Sequence, residues 1–161
     1  MRYVVDTVVF NRLTDGTITI NDLPTGAEFL ATHVQLDEIH RTTDGSRREL
    51  LLEAFRALAP TKVAAETAHW GGEHRGKRRT QPQWGDDARW GVGEPFDPIL
   101  AELDNIEKKR SNYEDALLIE AAVKQGCALV TADRNVRDVA ERRNVVVHFI
   151  SDRASEAPTG Q

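Results

Sequence analysis

Apolar positions along the chain fall into short β-branched runs separated by stretches with helical spacing. Residues 2–5 (RYVV) predict a buried strand ending at Asp6. Gly16 to Asp22 (GTITIND) reads as a short extra strand or an extended loop, and Glu28 to Thr32 (EFLAT) as a second strand. A helix is expected over Val34 to Arg41, and an amphipathic one over Arg47 to Leu58, with Leu51, Ala54, Phe55 and Leu58 on one face. Thr61 to Ala65 predicts another short strand. Asp97-Pro98 has the form of a helix start, an aspartate cap followed by proline at the first helical position. Ile99, Leu100, Leu103 and Ile106 supply that helix's buried stripe. Ser111 to Glu114 has capping-box spacing, opening a helix that closes at Gly126. Cys127 to Thr131 predicts a strand, Asn135 to Arg143 a helix and Val145 to Ile150 a last strand.

Strands alternating with helices predict a three-layer α/β/α fold around a central, mostly parallel sheet. Residues 1–150 are expected to form one domain, with an irregular Gly/Trp/Arg-rich insertion at about 69–96 and a flexible tail over 151–161. A chain of 161 residues can bury enough surface to stand without staples. No apolar run would span a bilayer and no signal segment opens the sequence, so the expectation is a cytoplasmic protein without membrane association.

One cysteine, Cys127, excludes an internal disulfide and a multi-cysteine zinc site. A formal net charge of −5 argues against a general nucleic-acid binder. Net charge is a weak guide here, because acids and bases gather in different places. Asp6 and Asp133 each stand just past the end of an apolar strand, and ligands in parallel sheets collect beyond those ends. Glu38 lies on the helix after the second strand, and Asp115 in the first turn of the helix that begins near Ser111. Four carboxylates converging without a thiol would suit Mg²⁺ or Mn²⁺. Singly, each acid has an ordinary explanation as a cap, a helix-dipole partner or a solvated side chain.

Together, VVDT (Asp6), THVQLDEIHRT (Glu38), SNYEDALLIEAA (Asp115) and LVTADRNV (Asp133) resemble the PIN-domain nuclease family over nearly the whole chain. That resemblance implies a metal-dependent endoribonuclease cutting single-stranded RNA, with Asp6, Glu38, Asp115 and Asp133 as metal-binding and catalytic residues. Many family members are VapC-type toxins, so an antitoxin protein and a second copy of the chain are candidate partners beside the RNA substrate. Thr131 resembles the family's hydroxyl near the metal. Where the family carries Asn or Ser two residues after the first Asp, this chain has Val8, and where a further acid follows the Thr-x-Asp block it has Asn135. Asn135 and Asp138 are supporting candidates. One rival follows from these departures, an inactive RNA-binding or assembly module; a second, an aspartate-based phosphatase or phosphotransfer domain on a related α/β sheet, would use Asp6 as acceptor but usually has a second acid where this chain has Val8.

Arg75, Lys77, Arg78 and Arg79 lie between Trp70 and Trp84, a mixture that suits phosphate contact and base stacking. The five histidines show no metal-ligand spacing; His148 reads as structural.

Overall fold

The computed structural model describes residues 1–63 and 95–151, together with the backbone of 73–74 and 77–78. Its elements in chain order are β1 (Arg2–Val5), α1 (Thr7–Thr14), a 3₁₀ turn (Ile20–Asp22), β2 (Glu28–Ala31), α2 (His33–His40), α3 (Gly45–Leu58) and β3 (Thr61–Lys62). A two-stranded hairpin, β4 (Glu73–His74) and β5 (Lys77–Arg78), precedes α4 (Phe96–Ile106), α5 (Asn112–Gln125), β6 (Ala128–Thr131), α6 (Arg134–Arg142) and β7 (Val147–Phe149).

Five strands form one parallel sheet in the order β3-β2-β1-β6-β7. The alternation of side chains along β1 sorts the core into two layers. Val4, with Leu30 and Leu129, faces α4, α5 and α6 through Phe96, Ile99, Leu118, Val136 and Val139. Val5, with Val130, faces α1, α2 and α3 through Phe10, Ile39 and Leu51. The expected three-layer α/β/α architecture is therefore observed, and the sheet is wholly parallel.

Strand order sets the functional edge. From β1 the chain builds outward through β2 and β3, then returns to lay β6 on β1's other side. The β1/β6 boundary is the switch point, where loops on opposite faces leave a crevice beyond the strand ends. The register Val5↔Val130 puts Asp6 and Thr131 side by side at that boundary, and the Asp6 N–H extends the ladder to the Val130 carbonyl at 3.0 Å.

Local differences from the sequence expectation have local causes. Asp22 turns back to accept from the Thr19 N–H (2.8 Å) and hydroxyl (2.9 Å), closing a 3₁₀ turn where an extra strand was an option. The third strand is Thr61–Lys62, with the Val63 N–H still reaching the Ala31 carbonyl at 2.8 Å, and the rest of its expected range, Ala64 and Ala65, lies outside the described residues. Helix α4 starts at Phe96 with Pro95 as its cap residue, so Asp97 and Pro98 lie inside the first turn. Phe96 is fully buried, and that contact draws the helix start forward. Ser111 makes no side-chain cap and is itself helical in backbone angle, so the capping box does not form. Asn112 takes over that corner: wholly buried, it donates to Asp104 Oδ1 and the Glu107 carbonyl, both at 2.7 Å. Gly126 ends α5 as expected, in the left-handed region at φ 57°. Most of the insertion, with the side chains of Arg75, Lys77, Arg78 and Arg79, and the tail from 152 lie outside the described residues.

Candidate functional site

Asp6 both caps a helix and stands at the β1/β6 boundary. Its Oδ1 accepts from the Val8 N–H at 3.3 Å, and its Oδ2 accepts from the Thr131 hydroxyl at 2.6 Å. The Thr131 oxygen in turn accepts the Asp133 N–H at 3.0 Å. This one hydroxyl thus ties the ends of the two central strands together and turns both aspartates toward the same opening. Asp133 caps α6, its Oδ1 taking the N–H groups of Asn135 (2.8 Å) and Val136 (3.2 Å). Its Oδ2 faces Lys109, whose Nζ is 2.7 Å away. Glu38 reaches in from α2, with its Oε2 accepting from the Thr7 hydroxyl. Asp115 enters from the first turn of α5, and its Oδ2 is buried with no hydrogen-bond partner among the described residues.

Gln35, which sequence reasoning passed over, fixes Glu38 relative to Asp6. Fully buried, it donates to the Val5 carbonyl at 2.6 Å and accepts from the Thr32 N–H (2.9 Å) and hydroxyl (2.8 Å). Helix α2 is thereby pinned to the end of β1, one turn before Glu38. Gln35→Leu is expected to cost about 1–3 kcal/mol, because three polar groups lose a partner out of reach of water. Urea unfolding measures it; a cost near zero would mean that water or a rearranged side chain takes over these contacts.

No family model matches the sequence, and no curated protein matches it either. Among solved structures, a chain of the crystal structure of VapBC2 from Rickettsia felis, bound to a DNA fragment from their promoter, shares the fold. The TM-score is 0.55 at 11% sequence identity, and the match covers 92% of this chain and 98% of that one. This chain has the PIN-domain fold.

Within the PIN fold the four acids sense one another. Burial pushes Asp115 up to about 8, and the charges of Asp6, Asp133 and Glu38 add to it while Lys109 opposes. Glu38 is raised to about 7 by burial, with the Thr7 hydroxyl opposing and Asp6 and Glu114 adding. Asp6 is raised by burial too, against its bonds from Thr131 and Val8, with Asp133 adding. Asp133 alone goes down: burial would raise it, but Lys109 and the helix-cap N–H groups outweigh burial. Three buried acids raised above their ordinary range, two of them to about 7 and about 8, with one orphaned carboxylate oxygen among them, make an all-oxygen donor set suited to a hard divalent cation.

Among the described residues no trio of His, Cys, Asp or Glu side chains stands drawn together tightly enough to hold an ion as it is. Bare carboxylates repel, by roughly 4 kcal/mol for two unit charges 4 Å apart at an effective dielectric of 20, so contraction needs a counter-charge.

The remaining candidates divide. Val8 packs against the hydrophobic layer of α1–α3 and donates only its backbone, while Thr7, one residue earlier, supplies a hydroxyl to the site. Asn135 gives its N–H to Asp133 and turns its amide to Glu107 Oε2 at 3.3 Å. Asp138 pairs with Arg137 at 2.7 Å on a half-exposed face of α6, a placement that its sequence distance from Asp133 did not reveal. At the outer rim, Arg41 pairs with Glu114 at 3.1 Å. His148 contacts the Asp22 carbonyl at 3.1 Å, a structural role as expected, and Cys127 is a free, half-buried thiol beside the core. No helix among the described residues is long and apolar enough to cross a membrane.

Proposed function

We propose that this protein is a divalent-metal-dependent endoribonuclease, with Asp6, Glu38, Asp115 and Asp133 holding Mg²⁺ or Mn²⁺. The observation that carries the reading is the buried, partnerless Asp115 Oδ2 among mutually repelling acids. Such an arrangement is costly unless a cation belongs there. A bound divalent ion would supply water activation and charge stabilisation at a phosphodiester. The chain's own groups do the rest. The Thr131 and Thr7 hydroxyls hold Asp6 and Glu38 in place, and the helix-cap N–H groups keep Asp133 ionised. The four basic residues Arg75, Lys77, Arg78 and Arg79 grip the RNA backbone in this reading. An antitoxin protein and a second copy of the chain are its proposed partners, by analogy with the VapBC2 complex, and its proposed location is the cytoplasm.

The phosphotransfer alternative draws little support. Both oxygens of Asp6 are engaged, and Val8, where such chemistry wants a second acid, is turned into the core.

The test is cleavage of single-stranded RNA with Mg²⁺ or Mn²⁺, run beside Asp6→Asn and repeated across a range of salt. Wild type is expected to cut and Asp6→Asn not to. Changing the four basic residues to Ala should flatten the salt dependence of RNA binding. Binding without cutting in wild type would favour an inactive RNA-binding module instead.

A further inference from the structure

The connection between α4 and α5 carries the basic run Lys108-Lys109-Arg110, which resembles any solvated turn in sequence. Lys109 departs from that pattern. Its ammonium lies 2.7 Å from Asp133 Oδ2, and its charge also acts on Asp115. Asp133 Oδ1 is committed to capping α6, so Oδ2 is the oxygen it has to offer a cation. Lys109 has taken that oxygen.

We propose that Lys109 is a built-in competitor for the metal: it neutralises Asp133 in the metal-free protein and must leave that oxygen when a divalent ion binds. The proposal rests on the metal-site reading above. The pair is built to part. Both side chains keep 28% exposure, so water reaches each partner and can take the place of the other when they separate. The backbone is pinned nearby, with the Asn112 N–H on the Lys109 carbonyl at 3.3 Å and the Asn112 amide on Asp104 and Glu107. Release therefore leaves the backbone in place and asks for a swing of the flexible four-carbon stem. One ammonium also brings a single positive charge to four acids, whereas a divalent ion brings twice the charge and can be shared. The exchange thus favours the metal once its concentration is sufficient, and the strength of the Lys109–Asp133 pair sets that threshold.

Titration calorimetry with MnCl₂ alone, without RNA, tests this on the full chain. Lys109→Met is expected to tighten Mn²⁺ binding by roughly three- to tenfold, the fold-change equivalent of removing one partly exposed competing ion pair. Lys109→Arg should restore the wild-type affinity. Lys108→Met removes the same charge from the exposed neighbouring residue and should change affinity by less than about twofold. Equal or weaker binding by Lys109→Met, with wild type still binding, overturns the competition and leaves the metal site standing. Equal tightening by Lys108→Met also overturns it, because the effect would then be diffuse charge. Binding by neither wild type nor Lys109→Met overturns the competitor and the metal site together.

Discussion

Asp115→Asn is expected to give a folded protein that no longer binds Mn²⁺ and whose RNA cleavage falls by at least about 10³-fold, the scale on which loss of one member of a cooperating catalytic set is felt. Asparagine keeps the shape of the side chain and removes the ionisable group that lies closest to the cluster's electrostatic centre, the one that senses Asp6, Asp133 and Glu38 together. Stability should hardly suffer. The Asp115 N–H is already bonded to the Ser111 carbonyl at 2.9 Å, so the backbone does not depend on the side chain. Near neutral pH the Asp115 carboxyl of the metal-free protein already holds its proton, so a neutral amide of the same shape costs little, and above about pH 8 it relieves repulsion among the acids. Circular dichroism melting, Mn²⁺ calorimetry and cleavage rate together check the result. Wild-type Mn²⁺ affinity in the variant would remove Asp115 from the site.

In the metal-free protein, stability should fall as pH rises from about 5 to 8. Glu38 and Asp115 are raised to about 7 and about 8, and Asp6 is raised as well. Between the ordinary carboxylate range and these values the folded chain holds protons that the unfolded chain has released. The stability contributed by those protons is complete at the acid end and disappears as the folded groups ionise. The loss is on the order of a few kcal/mol. Asp133, held below its usual range, works the other way, but its window lies below pH 4, where it does not compete. His33 opposes within the window: burial lowers it, so the unfolded chain takes up a proton the folded chain resists, and stability drops as pH falls through about 6.5. Glu38 and Asp115, raised to about 7 and about 8, outweigh one depressed imidazole. Mn²⁺ should reverse the trend, because the ionised acids that destabilise the bare protein are the ones a cation uses. Melting temperatures at pH 5 and pH 8, with and without Mn²⁺, give a two-by-two comparison. A metal-free protein as stable at pH 8 as at pH 5 would contradict the crowding of these acids.

The sequence made parts of this arrangement readable because they rest on local pattern. An apolar run that stops at an aspartate, as in residues 4–6 and 128–133, names both a strand and what lies beyond its end. Alternating strands and helices then carry the layer order and the parallel sheet. Glu38 and Asp115 were reachable through their places on periodic helices. What local pattern hides is long-range partnership. Lys109 sits in a basic run of ordinary appearance, and its meaning lies 24 residues away in Asp133. Gln35 looks like a helix-surface residue until the Val5 carbonyl, 30 residues back, is found against it. Thr7 stands one residue after Asp6 with no local sign that its hydroxyl meets Glu38, 31 residues on. Asp138 was a plausible neighbour of Asp133 by number, yet the helix turns it toward Arg137.

The Asp6–Thr131 bond has a consequence in time. Its partners are separated by 125 positions, and it closes the boundary on which both aspartates depend. During synthesis at about 5–20 residues per second, roughly 6–25 s pass between production of the first partner and the second. Helices α1 and α2 can form in that interval, and β1 can pair with β2, but β1's other edge stays open until β6 arrives. A half-made chain therefore carries Asp6 and Glu38 without Asp133, and an exposed strand edge in place of a crevice. The carboxylate cluster therefore comes together only after β6 and Asp133 have been made, and a chain that stops short of them has the open strand edge without the cluster.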